Sequence, residues 1–137
     1  MTLKNANKIS GILKTISHPA RLAILLAIGE GEACVCHLEA MLGKRQAYIS
    51  QHLMALRQAD ILRDRREGRF IFYSIANPAL LALVRDAELL AGVTIPIAPP
   101  AAVECACPHC TEETGADLPA PQVKVITSTL HSEGNHI

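Results

Sequence analysis

The sequence predicts a mostly α-helical domain that carries one two-stranded β-hairpin. Half of the 137 residues are apolar, which is enough for a modest core. Aromatic residues make up only 3% of the chain and tryptophan is absent. The core must therefore be built from Leu, Ile and Ala, a composition that favours packed helices over a β-sandwich.

Two helices are predicted in the first thirty residues. The first is amphipathic, because apolar side chains recur at i, i+3, i+4 and i+7: Ile9, Ile12, Leu13 and Ile16. It ends before Ser17. Pro19 then opens a second helix, since proline is well tolerated in a first helical turn, and the segment Gly29 to Gly31 ends it.

The next two predicted helices form a helix-turn-helix pattern. One runs from about Cys34 to Leu42 and stops at Gly43. The other spans roughly Arg45 to Ala59 and turns a polar face outward. Two short helices joined by a glycine turn, the second polar on its outer side, are typical of a module that reads base edges in the major groove.

A β-hairpin is expected directly after the second of these helices. Its strands are predicted at 62–66 and 69–75, joined through a turn at Glu67-Gly68. Its tip is crowded with cations, namely Arg65, Arg66 and Arg69. Such a hairpin is typical of the wing of a winged helix-turn-helix, whose cations neutralise phosphates beside the groove. A merely solvated hairpin tip is the alternative.

A fifth helix is predicted from Asn77-Pro78 to Gly92. The first and last helices carry more apolar surface than a small monomer needs, so we expect a homodimer formed through these two helices. Beyond residue 93 the composition changes to proline and cysteine. We therefore expect a DNA-binding and dimerisation domain at 1–93 and a flexible tail at 94–137.

The zero net charge hides an uneven distribution. Between Lys44 and Phe72, seven cationic side chains accompany three acidic ones, a local charge of +4. From Ala98 onward, five acidic side chains accompany one lysine, a local charge of −4. The basic block coincides with the helix-turn-helix and the hairpin, which makes that region the candidate DNA face.

Cysteine content points to thiol chemistry. Met1 to Asn5 are polar, unlike a secretory signal, and the longest apolar stretch, Leu22 to Ile28, is too short for a bilayer, so we expect a cytoplasmic protein. In a reducing compartment, cysteines indicate metal binding or redox chemistry rather than a disulfide framework. The five are Cys34, Cys36, Cys105, Cys107 and Cys110.

No nucleophile with a base, carboxylate pair or phosphate loop emerges, so we expect neither an enzyme nor an organic cofactor.

Taken together, these motifs resemble the ArsR/SmtB family of winged-helix repressors that respond to metals or metalloids. The resemblance covers roughly 9–92 and rests on the order and spacing of four segments: Ser17-His18-Pro19-Ala20-Arg21-Leu22, Cys34-Val35-Cys36-His37-Leu38, Leu42 through Leu53, and Phe72-Tyr73-Ser74. It implies a dimer that binds double-stranded operator DNA, usually an inverted repeat.

The resemblance also implies which side chains contact DNA. On the second helix of the helix-turn-helix these are Gln46, Ala47, Tyr48, Ser50, Gln51 and His52. Arg45 at the start of that helix and the three hairpin arginines complete the expected set. His52 faces the edge of the core about as well as it faces DNA.

In that family a Cys-Val-Cys pair at this helix supplies thiolates to arsenite, antimonite, cadmium, lead or zinc, and Cys34 and Cys36 match it. We expect the tail cysteines Cys105, Cys107 and Cys110 to supply the remaining ligands. Residues at i and i+2 point to different sides of a regular helix, so one ion can hold both thiolates only if the first helical turn distorts. That distortion is expected to release DNA.

Several alternatives remain open from the sequence. The thiols could form a redox or persulfide switch in a repressor of the same fold. The winged helix could instead belong to a metal-handling or adaptor protein that binds no DNA. Within the tail, Cys105, Cys107, His109 and Cys110 could form a local zinc knuckle. Cys34 and Cys36 could also be inert core residues.

Overall fold

The computed structural model describes residues 3–96 and contains five helices and three strands. In chain order the elements are α1 (Leu3–Ile16), α2 (Pro19–Ile28), β1 (Glu32–Cys34), α3 (Val35–Leu42), α4 (Gln46–Gln58), β2 (Leu62–Glu67), β3 (Phe70–Ile75) and α5 (Pro78–Ala91). The five predicted helices and the hairpin are confirmed. All of the predicted tail beyond Pro96, with its three cysteines, lies outside the described residues, so the proposed domain boundary stays a prediction.

The hairpin belongs to a three-stranded antiparallel sheet in the order β1-β3-β2. Strand β1, which sequence periodicity did not predict, pairs Glu32 with Ser74, Ala33 with Tyr73 and Cys34 with Phe72. Three residues are too few to show an alternating pattern, so this strand exists only through its partner. It attaches the start of α3 to the hairpin.

The hairpin turn lies one residue later than predicted. Glu67 pairs with Phe70, which leaves Gly68 and Arg69 as a two-residue turn. Gly68 has φ of 60°. A positive φ at the first central position suits the turns that match strand twist, and glycine adopts it without steric cost. A side chain at this position would strain the turn.

The core lies between α2, α3 and α4 and holds the helix-turn-helix together. Its fully buried members are Ile24, Leu25, Leu38, Ile49, Leu53 and Leu56. Phe72 of the sheet is fully buried as well, in a second cluster with Cys34. Gly43 ends α3 in the left-handed conformation, with φ of 63° and ψ of 32°, and so turns the chain into α4. Packing against α2, α3 and β2 therefore sets the orientation of α4.

The two terminal helices bury less of their apolar surface. Only Ile16 of α1 is buried, whereas Ile9 is 59% exposed in the single chain. Leu90 near the end of α5 is 91% exposed. Exposed apolar stripes of this kind mark surfaces that associate with other protein surfaces.

Among the described residues, no single helix is long and apolar enough to cross a membrane. Only α1 and α2 taken together pass that test, and they are bent by 88° relative to each other.

Candidate functional site

Helix α4 presents polar side chains to solvent along one face. Gln46, Ala47, Tyr48 and Gln51 are exposed and Ser50 is half-buried. Lys44, in the turn before α4, places its Nζ atom 5.7 Å from the centre of the Tyr48 ring. These side chains can present amide, hydroxyl and cationic groups to base edges and phosphates.

His52, one of the residues predicted to contact DNA, lies on the inner side of α4. It is only 7% exposed. Its Nδ1 atom accepts a hydrogen bond from Nε of Arg21 at 3.1 Å. The His52 ring lies 4.4 Å from the His18 ring and 4.7 Å from the edge-on Tyr48 ring. In this structure His52 therefore belongs to the edge of the core and not to the exposed face.

Arg21 connects three helices, and sequence reasoning assigned it no role. Besides its contact with His52 on α4, its Nη1 atom donates to the backbone carbonyl of Thr15 at 2.8 Å, near the end of α1. The signal that could have drawn attention to it was its place in the segment Ser17-His18-Pro19-Ala20-Arg21. Nothing in that segment alone reveals a partner 31 residues away.

On the hairpin, Arg65 is held by two carboxylates. Its Nη2 atom lies 2.6 Å from Oε1 of Glu32, and its Nη1 atom lies 3.1 Å from Oε2 of Glu67. These hydrogen bonds, to Glu32 first and then Glu67, raise the pKa of Arg65 above its usual range. Its guanidinium carbon also lies 4.8 Å from the centre of the Phe72 ring. Arg65 is thus committed to contacts within the protein.

Arg66 and Arg69 are exposed as well. Within residues 3–96, neither forms a salt bridge. Of the three arginines predicted to meet phosphate, these two have side chains available for it.

The cysteine pair lies where β1 passes into α3. Cys34 is the last residue of β1 and the N-cap of α3, with φ of −87° and ψ of 167°, whereas Cys36 lies in the first helical turn. The two Sγ atoms are 3.0 Å apart. The sequence prediction placed both cysteines in a regular helix, whereas Cys34 is extended, so the two sulfur atoms reach the same side without distortion of α3.

The surroundings of the pair are apolar. Cys34 is 2% exposed and packs with Phe72, and Cys36 and Phe70 are half-buried against them. Cys36 is disulfide-bonded. Its contact with Cys34 is not that bond, since a disulfide measures about 2.05 Å.

A row of residues across the sheet links this pair to the hairpin. Cys34 on β1 is in register with Phe72 on β3, and Phe72 is in register with Arg65 on β2. Glu32, two residues before Cys34, holds the Arg65 guanidinium. A displacement of Cys34 therefore reaches the hairpin through two cross-strand contacts.

The comparison with known proteins identifies the family. Residues 18–64 match the family model described as bacterial regulatory protein, arsR family. A biofilm growth-associated repressor from Agrobacterium fabrum is 42% identical over 81 residues, which are 59% of this chain and 69% of that protein. The chain belongs to the ArsR/SmtB family. It is a transcriptional repressor with a winged helix-turn-helix fold, and not an enzyme.

Two further relatives of this ArsR/SmtB repressor carry names that mention a metalloid. The arsenical resistance operon repressor of Escherichia coli is 37% identical over 78 residues, covering 55% of this chain and 67% of the relative. The solved structure of the AntR antimony-specific transcriptional repressor has a TM-score of 0.62 and 29% identity, covering 66% of this chain and 83% of that one.

When both cysteines are reduced, the pair by itself offers an ion two thiolate ligands. Among residues 3–96 of the repressor, no three His, Cys, Asp or Glu side chains come together in a way that could hold a metal ion. The three cysteines predicted to complete the site, Cys105, Cys107 and Cys110, lie outside the described residues.

Proposed function

We propose that this ArsR/SmtB repressor is a cytoplasmic homodimer that releases an inverted-repeat operator when a thiophilic metal or metalloid binds Cys34 and Cys36. The expected inducers are arsenic(III) or antimony(III), or else cadmium, lead or zinc. The observation that carries the proposal is the 3.0 Å separation of the two Sγ atoms on one side of the β1–α3 junction.

DNA recognition is assigned to the exposed face of α4 and to the hairpin. Gln46, Tyr48 and Gln51 supply groups that bind base edges, with Arg45 beside them at the start of the helix. Arg66 and Arg69 supply cations for the phosphates. The local charge of +4 between Lys44 and Phe72 supports this assignment.

Dimerisation is assigned to α1 and α5. The exposed apolar side chains of the two helices are Leu3, Ile9, Ile12, Leu13, Leu83, Leu89 and Leu90. Covering them with a second copy removes this surface from water. A two-fold dimer also presents two α4 helices to two half-sites, the arrangement that an inverted repeat requires.

The donor chemistry of the pair fits a soft ion. Two thiolates on a tetrahedral ion with zinc–sulfur bonds of about 2.3 Å lie about 3.8 Å apart. Cys34 and Cys36 can reach that separation if their sulfurs move apart by less than 1 Å from the present 3.0 Å. One or two further thiolates are needed, and we assign them to Cys105, Cys107 and Cys110.

Coupling to DNA is assigned to the sheet. Cys34 and Phe72 are tightly buried, so a shift of Cys34 cannot be absorbed by empty space. The shift is passed to Phe72 and to the Arg65–Glu32 contact, and it reorients the hairpin. An ion that binds the reoriented form more tightly lowers operator affinity by the same factor.

The test is operator binding under strict reduction. Fluorescence anisotropy with a duplex from the repressor's own promoter is titrated with arsenite, antimonite, cadmium, lead and zinc. We expect at least one ion to release the wild-type protein, Cys36→Ser to abolish that release, and Cys107→Ser to weaken it. Ala40→Ser, at an exposed position of α3, serves as a control. Release by peroxide or polysulfide alone would contradict the metal proposal.

A redox switch is the second candidate, because Cys36 is disulfide-bonded and the Cys34 sulfur lies 3.0 Å from it. In that case peroxide accepts two electrons and two protons from two thiols, which forms one S–S bond and two waters. Mass spectrometry after alkylation of the free thiols separates the two candidates. A redox switch requires that loss of DNA binding and loss of alkylation at Cys36 follow the same oxidant titration.

A further inference from the structure

His52 is placed between the DNA-reading face of α4 and the body of the protein. It directly follows Gln51, which is exposed, and it precedes Leu53, which is fully buried. Its ring packs edge-on against Tyr48, one helical turn earlier on the same helix. A change in the charge or position of the His52 ring therefore alters the packing of Tyr48, one of the side chains assigned to DNA binding.

The contact with Arg21 determines where His52 carries its proton. A guanidinium group has only donors, so the Nδ1 atom that receives Nε of Arg21 at 3.1 Å must have a free lone pair. His52 is then neutral, with its proton on Nε2. An imidazolium would point an N–H group at the guanidinium and break this contact.

The other groups around His52 do not compensate for a positive charge. From α2 it faces Arg21, and from the N-cap of α2 it faces His18, whose Nδ1 atom is occupied by the backbone N–H of Ala20 at 3.1 Å. On its own helix it faces Tyr48, which has Lys44 over its ring. Burial first, and then the charges of His18 and Arg21, all lower the pKa of His52.

We infer that His52 is a positioning residue that holds α4 for DNA binding only while it is neutral and bonded to Arg21. Arg21 is anchored in turn to the Thr15 carbonyl near the end of α1. Protonation of His52 breaks the hydrogen bond that joins α4 to the α1–α2 junction. Helix α4 is then held less firmly in the orientation that DNA binding requires. This inference rests on the DNA-binding function stated above and is independent of what binds the cysteines.

The first test is operator affinity as a function of pH between 5.5 and 8. Wild-type affinity is expected to fall as the pH drops below the lowered His52 pKa, by up to about tenfold per pH unit for each protomer. Protonation elsewhere adds positive charge and strengthens DNA binding, so the expected direction is opposite to the general electrostatic trend.

Two variants separate positioning from direct reading. His52→Asn keeps an acceptor where Nδ1 lies but cannot be protonated, so it should retain most affinity at pH 8 and show no loss at pH 5.5. Gln51→Ala should lose affinity equally at every pH and keep the wild-type pH profile. The inference is overturned if His52→Asn loses affinity at every pH as Gln51→Ala does, or if it keeps the wild-type acid loss.

A second measurement needs no DNA. In ¹⁵N-edited NMR spectra of the free, full-length protein, His52 should show a protonated Nε2 and an unprotonated Nδ1 at neutral pH. Arg21→Met should weaken this preference, so that the minor Nδ1–H tautomer of a free imidazole appears. A proton on Nδ1 at neutral pH would overturn the inference even if no operator were bound. If the spectra agree and no duplex binds at any pH, it is the assignment of DNA binding that fails.

Discussion

The recognition helix and the hairpin are each held by one arginine, but by arginines of different kinds. Arg21 is half-buried and donates to a neutral imidazole and to a backbone carbonyl. Arg65 is exposed and pairs with two carboxylates, one from β1 and one from its own strand. Contacts between exposed charges are weakened by water and salt, whereas a buried acceptor that loses its donor stays unsatisfied.

The difference indicates that α4 and the hairpin are attached to the rest of the protein with different firmness. Helix α4 is fixed to the α1–α2 junction by a part-buried contact, whereas the ion pair that joins Arg65 of the hairpin to Glu32 of β1 is exposed and rearranges at low cost. Because Cys34 ends β1 and is in register with Phe72, the adjustable attachment lies next to the cysteine pair. Under the proposed function, thiol chemistry at this pair acts on the hairpin and leaves the helix-turn-helix folded.

The largest effect is expected from removing the residue between the cysteines and Arg65. Phe72→Ala should lower the free energy of unfolding by about 3–5 kcal/mol, as for other buried phenylalanines. Urea denaturation measures this, with the half-buried Phe70→Ala as the matched control. Equal losses for the two variants would mean that Phe72 is not the central packing residue of the row.

Substitution of the two arginines should then lower the free energy of unfolding by different amounts. Arg21→Met leaves His52 and the Thr15 carbonyl without their donor and should cost about 1–3 kcal/mol. Arg65→Met should change the free energy of unfolding much less, because its ion pairs are exposed. The comparison fails if thermal and urea unfolding show the opposite order.

On the hairpin, neighbouring arginines should differ in the salt dependence of operator binding. Arg66→Met removes the proposed phosphate contact and should reduce the slope of log affinity against log salt by about 1. Arg65→Met should leave that slope nearly unchanged and should instead weaken release by the inducing ion. A reduced slope for Arg65→Met would show that Arg65 leaves Glu32 to contact phosphate.

The smallest effect expected is a dependence of stability on pH. The pKa of His52 is lower in the folded protein than its ordinary value of 6.5. The unfolded chain therefore binds the proton more tightly, and the free energy of unfolding should fall as the pH drops below about 6.5, by at most about 1.4 kcal/mol per unit. In His52→Asn this contribution should be missing from urea denaturation between pH 5 and 7.

Local patterns in the sequence predicted much of this fold. Helical spacing at Ile9 to Ile16, the Gly43 stop and the arginine-tipped hairpin each arise within a few residues, so the sequence was enough to identify five helices and a winged helix-turn-helix. The Cys-Val-Cys pair was identified for the same reason. Side-chain identity and spacing also determined the basic block and the donor chemistry.

Only the tertiary structure decided how these parts are connected. Strand β1 exists because β3 pairs with it, and this pairing keeps Cys34 extended with its sulfur beside that of Cys36. The partners of His52 and Arg65 lie 31 and 33 residues away in sequence. Such contacts depend on packing between distant segments, which periodicity and local motifs do not encode, and they turn an expected DNA contact into an anchor of the recognition helix.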